Sequence, residues 1–284
     1  MKMMKKRRHI GLKVLLFLLL LLSFLLFDSN KRIVVDAYPL HYSTLPIAFD
    51  GYRIAQLSDI HVAEFGDGNS KLIDAVKKAQ PDIIAITGDL INNEGDNSHD
   101  LGIIRPLIKS LVAIAPVYYV TGNHEWDSGW VHELLKMLED NGVTVLRNEY
   151  VRLFIGQASI ILAGIDDPNG PADMISPETF ISQTRTYEGD TFILLLAHRN
   201  IYLNRLSPQD VDLILCGHAH GGMIRLPLIG GLVGPSRELF PKYTSGIYTD
   251  SGTKMLVSQG IGNHTGVPRF LNNPEVPVVI LKQS

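Results

Sequence analysis

Five short segments of the sequence place carboxylate, amide and imidazole side chains beside glycine or at the end of an apolar run. Carboxylate and amide oxygens and imidazole nitrogens are ligands of divalent cations, and this mixture suits Mn, Fe or Zn better than Ca. No thiolate is needed. The segments therefore indicate a metal site. They are Asp59-Ile60-His61, Gly88-Asp89, Gly122-Asn123-His124-Glu125, His198 and Gly217-His218-Ala219-His220.

Each segment taken alone has an ordinary structural explanation. A single Asp after a strand is more often a helix cap, and His218 alone fits a hydrogen-bonded buried histidine. The combination carries the signal, because five of the ten histidines fall in these segments beside Gly, Asp or Asn. Core packing does not predict that placement, so we favour a common functional origin for all five segments.

The elements that must position these residues alternate between strands and helices. The runs RIAQLS (53–58), DIIAIT (82–87) and VYYVT (117–121) are short and apolar, which is typical of buried strands. Between them, SKLIDAVKKA (70–79) and LGIIRPLIKSLVAI (101–114) repeat apolar residues at helical spacing. Alternating strands and helices predict a largely parallel sheet, whose ligand site lies beyond the carboxyl ends of its strands.

The second half of the chain predicts another group of strands. VRLFI and SIILAG flank Gly156-Gln157 as in a hairpin, and FILLLAH, VDLILCGH, KMLVSQG and PVVILK follow. We predict an α/β fold of two packed β-sheets flanked by helices, an αββα sandwich. Residues 51–284 are expected to form one domain, preceded by a lead-in segment at 31–50.

Residues 1–30 combine a basic start with a long apolar stretch. Ile10 to Phe27 is 18 residues with one Lys, close to the roughly 20 residues that span a bilayer. A secretory signal peptide also starts this way, but no small-residue cleavage pattern follows Phe27, so an uncleaved transmembrane helix is favoured. The pair Arg7-Arg8 is a weak match to a twin-arginine export signal. Each alternative keeps the basic cluster inside and the domain outside the cytoplasm.

Charge and cysteine content narrow the classes of partner. Six of the 26 Lys and Arg residues lie within the first 13 positions, which leaves 20 against 29 Asp and Glu, a net charge of −9. An acidic body disfavours a nucleic-acid partner, whose phosphates require a basic face. The single cysteine, Cys216, excludes an internal disulfide and a cysteine-rich zinc module.

In order and spacing, the five segments resemble those of the calcineurin-like metallophosphoesterases. The intervals of 30 residues from Asp59 to Asp89 and 34 from Asp89 to Asn123 suit that family, and the similarity runs from about Tyr52 to the C-terminus. The C-terminal third is similar to the membrane-associated bacterial branch of YkuE and YaeI phosphoesterases. The residues that carry this second similarity are GGMIRLPLIGG, LVSQGIGNHTGVPRF and NNPEVPVVIL.

The resemblance implies two divalent cations and a role for each residue. Asp89 would bridge the cations, because a carboxylate has two oxygens to share. His124 would act on the leaving group as a proton donor or by stabilising charge, with loop support as its structural alternative. The implied ligands of one cation are Asp59, His61 and His220, and those of the other are Asn123, His198 and His218.

Two positions bear on how closely the chain follows the family. The second motif commonly reads GDxxD, whereas this chain has Asn92 at the last position, where it can still accept a hydrogen bond near the site. Arg199, directly after His198, fits either a contact with substrate phosphate or a solvated surface position.

The family resemblance implies hydrolysis of a phosphodiester, a pyrophosphate or a phosphomonoester. A domain anchored outside the membrane would meet lipids first, so a lipid-linked or cell-envelope ester such as a glycolipid is the expected substrate. The apolar residues from Met223 to Leu232 fit either core strands, which we favour, or a rim for acyl chains. Two alternatives remain, a nuclease-type phosphodiesterase and a non-catalytic metal-binding scaffold of the same fold.

Overall fold

Two six-stranded sheets form the centre of the computed structural model, which describes residues 2–93, 98–206, 211–264 and 266–284, with side chains from residue 9 onward. The basic side chains of Lys2 to Arg8 that set the expected orientation lie outside the described part. The helices are α1 (Lys2–Lys31), α2 (Ser70–Ala79), α3 (Ser98–Val112), α4 (Asn123–Ser128), α5 (Val131–Asp140) and α6 (Pro177–Glu188).

The first sheet contains the three strands that the sequence predicted directly ahead of the first three site segments. Its order is β1-β14-β2-β3-β4-β5, and β2 to β5 are parallel. Both α2 and α3 pack on its outer face, as the βαβ pattern predicted. The strands are β1 (Val34–Tyr42), β2 (Arg53–Leu57), β3 (Ile83–Thr87), β4 (Val117–Val120), β5 (Thr144–Val145) and β14 (Glu275–Gln283).

The second sheet is built from the predicted hairpin and the strands that follow it. Its order is β12-β13-β9-β8-β7-β6, with β7, β8, β9 and β13 parallel. The strands are β6 (Glu149–Ile155), β7 (Ala158–Gly164), β8 (Ile193–Leu196), β9 (Leu213–Cys216), β12 (Gly246–Asp250) and β13 (Thr253–Val257); β10 (Arg225–Leu226) and β11 (Gly230–Gly231) form a separate small hairpin.

Alternating side chains divide the interior into three apolar layers. In β3, Ile83 and Ala85 face the second sheet, whereas Ile84 and Ile86 face α2 and α3. A third cluster lies between the second sheet and α6. Both faces of each central strand are therefore buried, which explains their continuous apolar runs. The predicted αββα sandwich is confirmed.

Two segments join the first sheet in a way that local patterns did not indicate. PVVILK was grouped with the later strands, yet β14 lies between β1 and β2, parallel to β1 and antiparallel to β2. The segment at 31–50, expected as a lead-in, supplies β1 at the sheet edge. An apolar run has the same sequence pattern in either sheet. The strands with which it pairs are therefore decided by which strand edges the folded chain leaves unpaired.

The N-terminal helix is long and apolar enough to cross a membrane between His9 and Lys31, and its apolar window is exposed. Its last turn is hydrogen-bonded to the domain. Ser29 is buried and its Oγ accepts a hydrogen bond from the Leu271 N–H at 2.8 Å, while Asn30 bonds the backbone of Arg269 in both directions.

Candidate metal centre

The predicted site residues come from loops at the carboxyl ends of five strands. Asp59 and His61 follow β2, Asp89 follows β3, Asn123 and His124 begin α4 after β4, His198 follows β8, and His218 and His220 follow β9. Because both sheets are parallel at this point, the loops meet at one end of the sandwich. A pocket of about 430 Å³ opens there, lined among others by Asp89, Asn123, His124, His218 and His220.

The first group of potential ligands consists of Asp59, His61 and His220. One ligand atom from each lies within 4.8 Å of the other two. The Nε2 atoms of His61 and His220 are 3.3 Å apart, and Nε2 of His220 is 3.5 Å from Oδ1 of Asp59. All three residues are buried.

The second group consists of Asp89, His198 and His218, again with ligand atoms within 4.8 Å of one another. Nε2 of His198 is 3.2 Å from Oδ2 of Asp89 and 3.1 Å from Nδ1 of His218. Asn123 also lines the pocket, and its buried Oδ1 has no hydrogen-bond partner among the described residues.

Asp89 connects the two groups. Its Oδ2 is 3.2 Å from Nε2 of His198 in the second group and 3.7 Å from Nε2 of His61 in the first. Its Oδ1 accepts the backbone N–H of His124 at 3.0 Å. The carboxylate is thus held at the boundary between two sets of imidazole nitrogens, which is where a bridging ligand belongs.

The chemistry of these groups fits divalent cations. Burial lowers the pKa of His61 and of His218 well below the ordinary value, so both imidazoles are neutral and keep a lone pair for a metal. Burial acts in the same direction on His198, but the nearby Asp89 carboxylate outweighs it and raises the pKa of His198 to about 10. The carboxylate therefore attracts positive charge to this point, and a cation would supply it.

The orientation of His198 is fixed from behind. Nδ1 of its ring lies 2.8 Å from the carbonyl oxygen of Thr87, the last residue of β3. When Nδ1 carries the proton and donates to that carbonyl, Nε2 presents its lone pair to the pocket. A backbone carbonyl bonded to the remote ring nitrogen is a common support for metal-binding histidine.

The backbone at the site is strained. Asp59, His61, Asp89, His218 and His220 all have φ between 46° and 66°, the left-handed region that non-glycine residues rarely adopt. Each such residue costs of order 1–3 kcal/mol unless its surroundings compensate. Five of them around one pocket indicate that the fold holds these side chains in place against local preference.

Glycines make room for the carboxylates. A Cβ on Gly217 would lie 1.8 Å from Oγ of Ser58 and 2.3 Å from Oδ2 of Asp59, and a Cβ on Gly122 would lie 2.2 Å from Oδ1 of Asp89. Neither position can carry a side chain without moving a predicted ligand. The lack of space for a side chain therefore explains why glycine occupies both positions.

Glu125 has a role that the sequence did not reveal. Its buried carboxylate accepts three backbone N–H groups, from Leu90 at 2.6 Å, from Asp89 at 3.0 Å and from Gly122 at 2.6 Å. These bonds tie the loop after β3 to the loop after β4. Burial, together with the charge of Asp89, raises the pKa of Glu125 to about 7.

His264 is a further residue at the pocket that sequence reasoning missed. Its ring centroid is 4.5 Å from that of His124 and 5.4 Å from that of His61, and ligand atoms of all three lie within 4.8 Å of one another. A signal was available, because Gly262-Asn263-His264 repeats the tripeptide Gly122-Asn123-His124.

Three residues singled out in the sequence are placed as follows. Arg199 lines the pocket, and its guanidinium donates to both carboxylate oxygens of Asp167 at 2.8 and 3.0 Å. The backbone N–H of Asn92 donates to Asp100. Cys216 is buried, and burial raises the pKa of its thiol.

A sandwich whose strand ends present two adjacent ligand groups around a shared carboxylate has the arrangement of a two-metal hydrolase. Comparison of the sequence with protein families agrees, since the model of the calcineurin-like phosphoesterases matches residues 52–222. The chain belongs to this family. It is accordingly a metal-dependent phosphoester hydrolase, with two six-stranded sheets and groups of residues suited to metal binding.

Individual relatives extend the match to most of the chain. An uncharacterized metallophosphoesterase of Bacillus subtilis, YkuE, is 30% identical over 85% of this chain and 83% of its own. The phosphodiesterase YaeI of Escherichia coli is 26% identical over 81% of this chain and 82% of its own. A Danio rerio transmembrane protein with a metallophosphoesterase domain is 30% identical, but this chain spans only 55% of it.

A solved structure supports the fold alone. The sulfate thiohydrolase SoxB of Thermus thermophilus superposes with a TM-score of 0.51 at 13% identity, over 85% of this chain and 58% of that one. Together with the apolar helix at its N-terminus, the similarity to a transmembrane relative associates this chain with a membrane.

Proposed function

We propose that this protein is a membrane-anchored phosphodiesterase that uses two divalent cations and acts on a lipid-linked ester outside the cytoplasm. The observation that carries the proposal is the pair of ligand groups around Asp89. Asp59, His61 and His220 would hold one cation, and Asn123, His198 and His218 the other, with Asp89 shared. Their mixed oxygen and nitrogen donors suit Mn, Fe or Zn.

When bound, the metal pair would polarise the phosphoryl oxygens and lower the pKa of a water for in-line attack. The chain's own residues would orient the ester and move the proton. Nε2 of His124 points into the site, 3.9 Å from Oδ2 of Asp89. From there it would donate a proton to the leaving-group oxygen, which is general acid catalysis.

The name of the relative YaeI, a phosphodiesterase, supports a diester as the substrate. Two arginines line the pocket. The guanidinium of Arg199 is bonded to Asp167 and to Oδ1 of Asn169, whereas Arg237 is exposed. Arg237 is able to balance the second negative charge of a monoester, so the preference for a diester rests on the relative and not on the charge of the pocket.

The anchor supports a lipid-linked substrate. α1 is directly bonded to the catalytic domain through Ser29 and Asn30, so the domain lies against the membrane that α1 crosses. The basic residues that precede the apolar stretch favour retention of the N-terminus in the cytoplasm. The phosphoesters nearest to the pocket would then be those of the outer leaflet and the envelope.

The reaction can be tested on the full-length protein in detergent. The protein is stripped with a chelator and assayed with a chromogenic phosphodiester, the matching monoester and single-stranded DNA after Mn, Fe or Zn is restored. We expect metal-dependent turnover of the diester, abolished in Asp89→Asn and reduced in His124→Ala, with the exposed His99→Ala as the matched control. Metal binding without turnover of any ester would support the scaffold alternative, and preferred cleavage of DNA would support the nuclease.

Topology and lipid specificity need separate measurements. Alkaline phosphatase fused after Ser284 should be active in intact cells if the domain is outside the cytoplasm. Inactivity of the fusion would indicate the opposite orientation, with the domain in the cytoplasm. Incubation with a total lipid extract, followed by mass spectrometry of the products, should show loss of one phosphate-linked lipid class that Asp89→Asn leaves intact. An unchanged extract would contradict the proposal of a lipid substrate. It would not contradict metal-dependent hydrolysis of other phosphate esters.

A further inference from the structure

Four large apolar side chains are exposed in one short part of the chain. Leu228 and Ile229 form the turn between β10 and β11, and Leu239 and Phe240 follow shortly after; their exposed fractions are 108%, 59%, 70% and 65%. We call these four residues the apolar rim. Single exposed apolar residues are common, but a cluster of this kind usually contacts another apolar surface.

The two halves of the rim are neighbours in space. The Phe240 N–H donates to the Leu232 carbonyl, Val233 pairs with Leu239, and the Leu232 N–H donates to the Ile224 carbonyl. The segments 223–226, 230–233 and 239–240 therefore lie side by side like short strands. Met223 is buried, so the expected core packing of 223–232 holds at its start and fails at the turn.

The rim borders the mouth of the metal pocket. Val233, Gly234 and Arg237, together with Pro235 and Ser236, line the pocket beside the potential metal ligands. These residues connect the Leu232 region directly to Leu239. Whatever covers the rim therefore also lies at the entrance through which an ester must pass.

Backbone hydrogen bonds connect the rim to the end of the membrane helix. The Arg225 N–H donates to the Phe270 carbonyl at 2.9 Å, and Ile224 pairs with Phe270. The neighbouring residues of that segment, Arg269 and Leu271, are bonded to Asn30 and Ser29 of α1. With neighbouring strands about 4.8 Å apart, β10 lies about 4.8 Å from the segment that binds α1, and β11 lies about 10 Å from it.

The apolar stretch of α1 ends close to this point. Phe27 is its last large apolar residue and is exposed, two positions before the buried Ser29. Two helical residues advance the chain by only about 3 Å. Because Ser29 and Asn30 are both bonded to the domain, the end of the apolar stretch of α1 is held in a fixed orientation relative to the domain.

Basic side chains accompany the same region. A cavity of about 480 Å³ at the end of α1 is lined by four basic, two acidic and four apolar residues, Phe27 among them. An excess of Lys and Arg beside an apolar surface is complementary to anionic lipid headgroups. The residues that supply the charges are Lys31, Arg32, Lys71 and Lys78, with Asp28 and Asp74.

We propose that the apolar rim inserts into the outer part of the bilayer that α1 spans, so that the mouth of the metal pocket opens at the lipid surface. Interfacial insertion of apolar side chains to a depth of about 5–10 Å is common for membrane-bound surfaces. The proposal goes beyond the proposed function, because the contact does not depend on which ester is cleaved.

The test uses full-length protein reconstituted in vesicles of phosphatidylcholine and phosphatidylglycerol. An environment-sensitive fluorophore is attached to Leu228→Cys or Phe240→Cys, and Phe154→Cys serves as the matched control. Phe154 is equally exposed and lies in the β6–β7 hairpin, near the amino end of β7 and away from the site. The native Cys216 is buried, and labelling of the wild type checks that it does not react.

Nitroxide-labelled lipids should quench the fluorophore at 228 and 240 severalfold more strongly than at 154. Equal quenching at all three positions overturns the proposal. Protection from aqueous iodide without quenching by lipid nitroxides also overturns it, and assigns the rim to a protein contact. None of these readouts requires turnover, so a failure of the proposed reaction leaves the result interpretable.

A second measurement links the contact to access. The double variant Leu228→Ser, Phe240→Ser should cleave a soluble chromogenic ester like the wild type, but should act more slowly on the same ester carried by a lipid in vesicles. Equal loss on both esters, or an unchanged rate on the lipid ester, would contradict the link between insertion and access.

Discussion

Replacing Glu125 with Gln tests whether the centre depends on a residue that binds no metal. The carboxylate accepts from Leu90 through Oε1, and from Asp89 and Gly122 through Oε2. A Gln amide can keep its oxygen at the Oε2 position and retain two of these bonds. Its NH₂ group then faces the Leu90 N–H at the former 2.6 Å contact, donor against donor.

The expected cost follows from that arrangement. One buried N–H without an acceptor costs about 1–3 kcal/mol, and bonds to a neutral amide are weaker than those to a carboxylate. The raised pKa of Glu125 acts in the opposite direction, because it shows that the buried charge beside Asp89 is itself unfavourable. The two effects offset each other in the free energy of unfolding without metal, where we expect a small change.

Metal binding should show the larger effect. Cations beside Asp89 would remove the repulsion between the carboxylates of Asp89 and Glu125. With metal bound, Glu125→Gln therefore weakens the hydrogen bonds to the backbone without relieving any repulsion. Loss of an outer support of this kind typically reduces metal affinity or activity by about 10–100-fold. Calorimetric titration of chelator-stripped protein with Mn²⁺ measures it, with the exposed Glu139→Gln as control. Wild-type affinity and turnover in Glu125→Gln would refute the inference that these bonds position Asp89.

Three further changes test other parts of the structure. Gly217→Ala should lower the free energy of unfolding by about 1–3 kcal/mol and reduce turnover, because the new methyl group overlaps Ser58 and Asp59. Glu275→Gln should gain stability relative to the wild type as the pH rises from 4.5, the ordinary pKa of a Glu carboxyl, through the higher pKa of the folded state; burial raises the pKa of Glu275, so the folded state binds its proton more tightly and wild-type stability falls over this range. His264→Ala should lower kcat by about tenfold with little change in KM, because the ring that packs against His124 is lost.

Each of these has a control or a contradicting result. Gly102→Ala adds a methyl group to open space on α3 and should stabilise by up to about 1 kcal/mol, so equal losses at positions 217 and 102 would contradict the steric argument. A pH-independent difference for Glu275→Gln in thermal unfolding would show that its carboxylate is not penalised by burial. For His264, a loss matched by the exposed His99→Ala would remove the specific role.

The sequence by itself determined the elements and the outline of the site. Apolar runs of five or six residues between helical repeats predicted β2, β3 and β4 within a residue or two, and α2 at its observed bounds. The predicted ligands all follow strands, and the carboxyl ends of parallel strands must share an edge. Their convergence on one pocket therefore followed from local patterns together with one rule of sheet topology.

Only the tertiary structure decided how distant segments meet. Nothing local distinguishes β14 from a strand of the second sheet. The repeated Gly-Asn-His tripeptide marks His264 as a candidate, but it does not show that His264 lies beside His124, some 140 positions earlier. The three bonds of Glu125 depend on two loops meeting, and the apolar rim is exposed because no element packs over the β10–β11 turn among the described residues. Periodicity records which face of an element is apolar, whereas contacts between loops depend on the packing of the whole sandwich.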